Sequence, residues 1–476
     1  MTDCPPMADA PGPPGMPTEV AEARRLRRIV IAAAVTQFTI NIDFFSVSVA
    51  LPQMAIDLDT TTTALQWVLS GYMIALASLF IAGGRLGDIY GRKRLLIIGL
   101  VIFAATSALA GSAPTAETAI VFRVLQGAGA AITFPVSLAV VTNAFPQERV
   151  QRAIGLVFAI GMIGNALGPF IGGFFTDVLT WRLIFWMNVP ISAAVVVLVL
   201  SSVDESRDET VPRTLDVKGL ALIVIGVAAI TYAFDRAAEW GWASASTLGL
   251  IAAGLVLLAA FVLTEARVRY PLVDLSLFRI RLFNVLIAAG SVGNVAFSVV
   301  IFSSTIYLQT LRDLSPMEAG LAFLFFAGGS VLGAQLVSRI DEVDPWKVMT
   351  AALTIGGAGT IALSYTEAWV LYLPAFLVTG FGVGLSWSYA SAATQAAVPP
   401  EKAGAASGVV LTLLVGLGGI AIAVVASVIE TRTGAGLEEA IFELFRVTGV
   451  VAIIAGVLVA VFGREPASAT QGRTAT

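Results

Sequence analysis

Long apolar runs alternate with short polar connections along almost the whole chain. The runs cover roughly 29–51, 65–84, 95–112, 118–141, 153–176, 183–202, 217–236, 245–264, 284–308, 317–338, 347–365, 370–396, 404–429 and 444–462. About 20 mostly apolar residues cross the hydrocarbon core of a bilayer as a helix. A membrane barrel would instead show segments of about ten residues with strict alternation, and no such alternation occurs. The pattern predicts an all-α polytopic membrane protein of fourteen transmembrane helices, grouped 6 + 2 + 6. On this reading residues 1–28 form a disordered N-terminal tail and 29–202 a first six-helix bundle. Residues 203–283 hold a linker and an inserted helix pair, 284–462 a second six-helix bundle, and 463–476 a C-terminal tail. The acidic segment 204–216 reads as a flexible linker.

Composition agrees. Of 476 residues, 57% are hydrophobic and 13% charged, against about 25% charged in soluble domains. Three soluble domains could not clothe their surfaces with so few charges. Orientation follows from the basic residues, which concentrate on the cytoplasmic side. Arg24, Arg25, Arg27 and Arg28 precede the first run, and Arg85, Arg92, Lys93 and Arg94 follow the second. The opposite connections carry Arg182, Arg236, Arg312, Arg432 and Arg446 alone. Both termini are expected to be cytoplasmic, in a multi-pass protein of the cytoplasmic membrane. Residues 1–23 lack the apolar core of a signal peptide.

The chain has no His, and its single Cys4 lies in the N-terminal tail. Disulfide frameworks, Cys/His metal or haem sites and Ser-His-Asp catalysis are thereby excluded. No enzyme, cofactor or metal is expected, and any proton relay must use carboxylates. No basic block occurs outside short loops, so a nucleic-acid partner is not expected. The expected partners are a small-molecule substrate, protons and the bilayer, with the chain working as a monomer.

Two ionisable residues interrupt the apolar runs of the first half. Asp43 lies about fifteen residues into the first run, near mid-bilayer at 1.5 Å per residue. Thr36, Thr39, Asp43 and Ser46 recur at spacings of three and four, which makes a polar stripe on one helix face. Such a stripe also suits plain interhelical hydrogen bonding. Arg123 falls in the fourth run, followed by Gln126, Gly127 and Gly129. A guanidinium there must find a partner, a wet cavity or the membrane surface. In the fifth run Gly161, Gly164, Gly168 and Gly172 form a smooth stripe for close helix packing, and Pro169 introduces a bend.

Several of these motifs resemble those of one family. Gly84-Arg85-Leu86-Gly87-Asp88-Ile89-Tyr90-Gly91-Arg92-Lys93-Arg94 resembles motif A of the major facilitator superfamily, with Ile89 where a basic residue is usual. Gly155, Gly164, Gly168, Pro169, Gly172 and Gly173 reproduce the spacing of its antiporter motif C. Arg123 with Gln126 and Gly127 is similar to motif B. Asp43 with Pro52 resembles motif D1 of the fourteen-span drug–proton antiporters, with Ser48 in place of the usual Asn. Trp181-Arg182, Asn188-Val189-Pro190 and Tyr307-Leu308-Gln309 agree. The resemblance covers most of 29–462, although the second-half counterpart of motif A, around Gly333 to Arg339, is degraded.

The resemblance implies the major facilitator fold and a proton-coupled antiporter exporting hydrophobic or amphipathic drugs. It implies proton coupling at Asp43, Arg123 and Gln126, and conformational gating at Gly84, Asp88, Gly91, Arg92 and Lys93. In the gate, Asp88 is expected to accept hydrogen bonds from a neighbouring helix N-terminus. The substrate pocket would lie between spans 1–6 and 9–14. Thr39, Ser46, Trp67, Tyr72, Trp387 and Tyr389 are its candidate walls, though aromatic residues in membrane helices equally serve packing. An importer of a small metabolite and a non-transporting membrane sensor on the same fold stay open at this stage.

Overall fold

A computed structural model describes residues 16–463, apart from 208–215, 270, 274, 338–339, 341–342, 366–367, 399–402, 430–431 and 434. Its first seven helices are α1 (Met16–Asp57), α2 (Trp67–Tyr90), α3 (Arg92–Gly111), α4 (Ala116–Ala144), α5 (Gln147–Phe174), α6 (Arg182–Trp186) and α7 (Asn188–Ser202). Next come α8 (Val217–Trp240) and α9 (Ala245–Glu265). The last six are α10 (Arg281–Ile306), α11 (Pro316–Val337), α12 (Pro345–Leu363), α13 (Trp369–Ala396), α14 (Ala403–Ile429) and α15 (Ala435–Phe462). Thirteen helical segments are long and apolar enough to cross a bilayer. The fourteenth crossing is α2, bent by 47° between Phe80 and Ala82, just ahead of Gly83 and Gly84, where a helix without Cβ support yields most easily. A single π-helical turn ends α5 at Phe175–Leu179 and α10 at Tyr307–Leu311.

Helices α1–α7 pack mainly on one another, as do α10–α15. The two sets meet along α5 against α11 and along α2 against α14. Helix α8 pairs with α9 and lies against both α2 and α14, where Trp67 meets the ring of Tyr232 at 6.2 Å. The inserted pair therefore touches each bundle across one of the two lines where they join.

Two contacts between the bundles lie toward the end opposite the N-terminus. The Gln309 amide donates to the carbonyl of Val49 at 2.7 Å. A Cβ on Gly320 would lie 2.5 Å from the carbonyl oxygen of Pro169. Helix α11 approaches the α5 backbone this closely because Gly320 carries no side chain.

Two expectations about connections are corrected. Residues 16–28 are not a disordered tail: they continue α1 without a break. Arg25 fixes that extension, with its Nη2 2.5 Å from Asp204 and its Nε donating to the Ser202 carbonyl. The start of the 204–216 linker is likewise anchored, because Glu205 accepts the backbone N–H groups of Lys93 and Arg94 at 3.1 Å each. Residues 1–15, 208–215 and 464–476 lie outside the described residues.

Candidate functional site

Arg123 does not reach for the membrane surface. It is fully buried, and so is Asp43. Arg123 Nη1 stands 2.5 Å from Asp43 Oδ2 and 2.8 Å from Gln126 Oε1. Its Nε donates to the Val68 carbonyl at 3.0 Å. The second carboxylate oxygen of Asp43 accepts from Gln126 Nε2 at 3.2 Å and from Asn188 Nδ2 at 2.6 Å. Asn188 Nδ2 also reaches Ser107 Oγ at 3.0 Å, and that hydroxyl donates to the Phe185 carbonyl. Side chains from α4 and α7 thus converge on the α1 carboxylate, with Ser107 of α3 holding Asn188 in place, which keeps a buried charge viable. Asn188 and Ser107 are members that the motif reading does not assign to the cluster.

Helix packing sets this geometry. Gly127 lies one turn beyond Arg123, and a Cβ there would sit 2.5 Å from the Tyr72 carbonyl oxygen. Helix α2 can therefore press against α4 and lay the Tyr72 ring over the guanidinium, 4.2 Å from centroid to Cζ.

Beside the cluster a cavity opens between the bundles. Its wall takes Ile40, Asn41, Phe44 and Phe45 from α1, with Tyr72, Asn165, Phe297 and Trp387 from the other helices. Tyr72 belongs to both places: it lines the cavity and covers Arg123.

Of the six candidate walls, Tyr72 and Trp387 line the cavity. The other four do not. Thr39 donates to the Val35 carbonyl of its own helix, and Ser46 to the Gly168 carbonyl of α5. Trp67 faces the inserted pair. Tyr389 packs in the second bundle with Leu286, Met349 and Leu353. The polar stripe of α1 faces its own bundle, and the cavity face of that helix is largely aromatic.

The glycine stripe of α5 packs on α1. A Cβ on Gly164 would lie 2.6 Å from the Phe38 carbonyl oxygen, and one on Gly161 3.1 Å from Gln37 Cβ. At Gly168 and Gly172 it would drive into Phe45 and the Ser46 backbone, and at Gly173 into Pro316 of α11. Gly155 stands apart, with open space around its Cβ position, so it does not serve this packing.

Residues 33–423 match the family model described as Major Facilitator Superfamily. The chain belongs to the major facilitator superfamily. It is 30% identical over 419 residues to the tetracenomycin C resistance and export protein of Streptomyces glaucescens, covering 85% of this chain and 76% of that one. It is 34% identical over 418 residues to the multidrug resistance protein Stp of Mycobacterium tuberculosis, covering 86% and 77%. A solved POT family transporter in complex with 5-aminolevulinic acid shares the fold, with TM-score 0.69, 15% identity and coverage of 92% and 96%.

In this major facilitator protein the motif A turn departs from its expected chemistry. Among the described residues Asp88 does not bond a neighbouring helix N-terminus. Its carboxylate accepts Nε and Nη2 of Arg92 at 3.1 and 2.8 Å. Gly91, at φ 109°, makes the reversal that brings Arg92 back beside it. The N-terminus of α3 is instead capped by Glu205, and Arg92 N–H donates to the Ser206 carbonyl at 2.8 Å. Lys93 Nζ reaches the Leu200 carbonyl at 3.2 Å. Gly84 faces Pro135 at ordinary contact distance.

Proposed function

We propose that this protein exports hydrophobic or amphipathic drugs across the cytoplasmic membrane in exchange for protons, and so confers resistance to them. The names of its relatives, a resistance and export protein and a multidrug resistance protein, support the substrate side of this reading. The observation that carries the proton side is the buried Asp43–Arg123 pair, whose guanidinium lies over the ring of the cavity-lining Tyr72.

Asp43 accepts hydrogen bonds from three side chains, Arg123, Gln126 and Asn188. Protonating it removes the charge that Arg123 is paired to, and breaking one side of a buried pair costs on the order of 3–5 kcal/mol. That cost is large enough to move a two-state equilibrium. Arg123 stacks on Tyr72, so a change at Asp43 reaches the cavity wall directly, and a ligand pressing on Tyr72 reaches Asp43 by the same route. Coupling needs no more than this shared ring.

With both termini cytoplasmic, the bundle contacts described above close the outer side, and the cavity faces inward. Export then requires the bundles to rock about the buried site. Gly84, Asp88, Gly91, Arg92 and Lys93 would serve as the cytoplasmic gate, and the α5 stripe with Pro169 as the slide between α1 and α11. The chain would work as a monomer, without enzymatic activity. The test is transport of tetracenomycin C into everted vesicles. Uptake should depend on an inward-acid pH gradient; uptake indifferent to that gradient would refute proton exchange.

A further inference from the structure

The cavity wall specifies a substrate class narrower than amphipathic drugs, an inference that rests on the export reading. Among the described residues that line it there is no Asp, Glu, Lys or Arg. Its polar atoms come from amides and hydroxyls. Asn41 and Asn294 already donate to the carbonyls of Gly161 and Leu414, at 3.2 and 2.5 Å. The Tyr72 hydroxyl and Asn165 Oδ1 are buried without a hydrogen-bond partner. Buried polar atoms are ordinarily satisfied, so these two are free to bond a ligand.

Asp43, the nearest buried carboxylate, is not available as a counter-charge. Its oxygens are occupied by Arg123, Gln126 and Asn188, and Asp43 is not among the residues that line the cavity, whereas Tyr72 is. The Tyr72 ring already serves a cation, since Arg123 lies 4.2 Å from its centroid. A cationic ligand would surrender its hydration without gaining an opposite charge. Contact with the face of Trp387 returns less than that desolvation costs. An uncharged polycyclic aromatic molecule meets no such penalty. It buries apolar area against Phe44, Phe45 and Phe297, and its heteroatoms find Tyr72 and Asn165.

We propose that this cavity selects uncharged polycyclic aromatic compounds bearing hydrogen-bonding heteroatoms, and discriminates against lipophilic cations of the same shape. A closely related pair carries the test, phenanthridine, neutral at pH 7.5, and N-methylphenanthridinium, permanently cationic and without the ring-nitrogen acceptor, and the Asp substitutions below separate the charge from the lost acceptor. Binding to the full-length protein in detergent is read by tryptophan fluorescence. Phenanthridine should bind at least tenfold more tightly. Asn165→Asp puts a carboxylate into the wall and should improve binding of the cation at least tenfold, with Asn41→Asp as a second position for the same test. Equal or tighter binding of the cation by the unmodified protein overturns the proposal. So does a preference that neither Asp substitution moves, because its source would then lie outside this cavity.

Proton coupling is measured separately, by ligand-induced proton release. Cation preference with proton release intact would overturn the selection rule and leave the export reading standing. Preference for the neutral ligand without proton release would do the reverse.

Discussion

Asn188 and Asp43 are 145 residues apart in sequence and 2.6 Å apart in the fold. The amide comes from the first turn of α7 and meets the carboxylate in the middle of α1. It also bonds Ser107 of α3, so one side chain fixes the carboxylate against two further helices. Replacing Asn188 with Leu leaves Asp43 with one donor fewer and Ser107 without its donor. Hydrogen bonds to charged groups contribute about 1.5–3 kcal/mol. The variant should lose stability on that scale in thermal unfolding. Unchanged unfolding would remove Asn188 from the site.

The pairing of Arg123 is checked by a cycle. Arg123→Met strands a buried carboxylate and should cost about 3–5 kcal/mol of stability. Adding Asp43→Asn removes the charge that was stranded, so the double variant should be more stable than Arg123→Met alone. Additive losses would show that the two side chains do not interact.

Close packing on α5 predicts a contrast within one motif. Gly164→Leu has no room against the Phe38 carbonyl and should abolish transport while the protein still inserts in the membrane. Gly155→Leu points into open space and should be tolerated. Equal behaviour of the two variants in vesicle transport would contradict the assignment.

Glu205→Ala removes the cap on α3. An N-terminal cap contributes about 0.5–2 kcal/mol, and here it ties the motif A turn to the linker. The variant should expose the turn to cysteine labelling at position 94 more readily than the parent. Identical labelling rates would show the cap to be dispensable.

Much of this was legible in the sequence because charge inside an apolar run is costly and therefore conspicuous. Asp43 and Arg123 stand out on that ground alone, and they do meet. The fourteen crossings follow from run length, and the glycine stripe of α5 from its spacing. Asn188 and Ser107 carry no charge, and isolated amides and hydroxyls are ordinary in membrane helices, so their partners depend on how α3 and α7 pack. Thr39 and Ser46 misled for a related reason. A hydroxyl that bonds a backbone carbonyl looks the same in sequence as one that lines a cavity. The cavity face of α1 is built from Phe44, Phe45 and Ile40, which in an apolar run carry no signal. Residues 16–28 follow a proline-rich start, and their helix is held by Arg25 pairing with Asp204, a contact made 179 residues away.

On the proposed mechanism the carboxyl of Asp43 releases the proton that drives export. Asp43→Asn keeps the shape and the hydrogen-bonding oxygen and cannot titrate. The most direct measurement is proton release from detergent-solubilised protein on adding phenanthridine, followed with a pH-indicator dye in weakly buffered solution. The unmodified protein should release protons, while Asp43→Asn, fixed in the uncharged form, should bind the ligand more weakly and release none at saturating ligand. Proton release from Asp43→Asn equal to that of the unmodified protein would contradict the account.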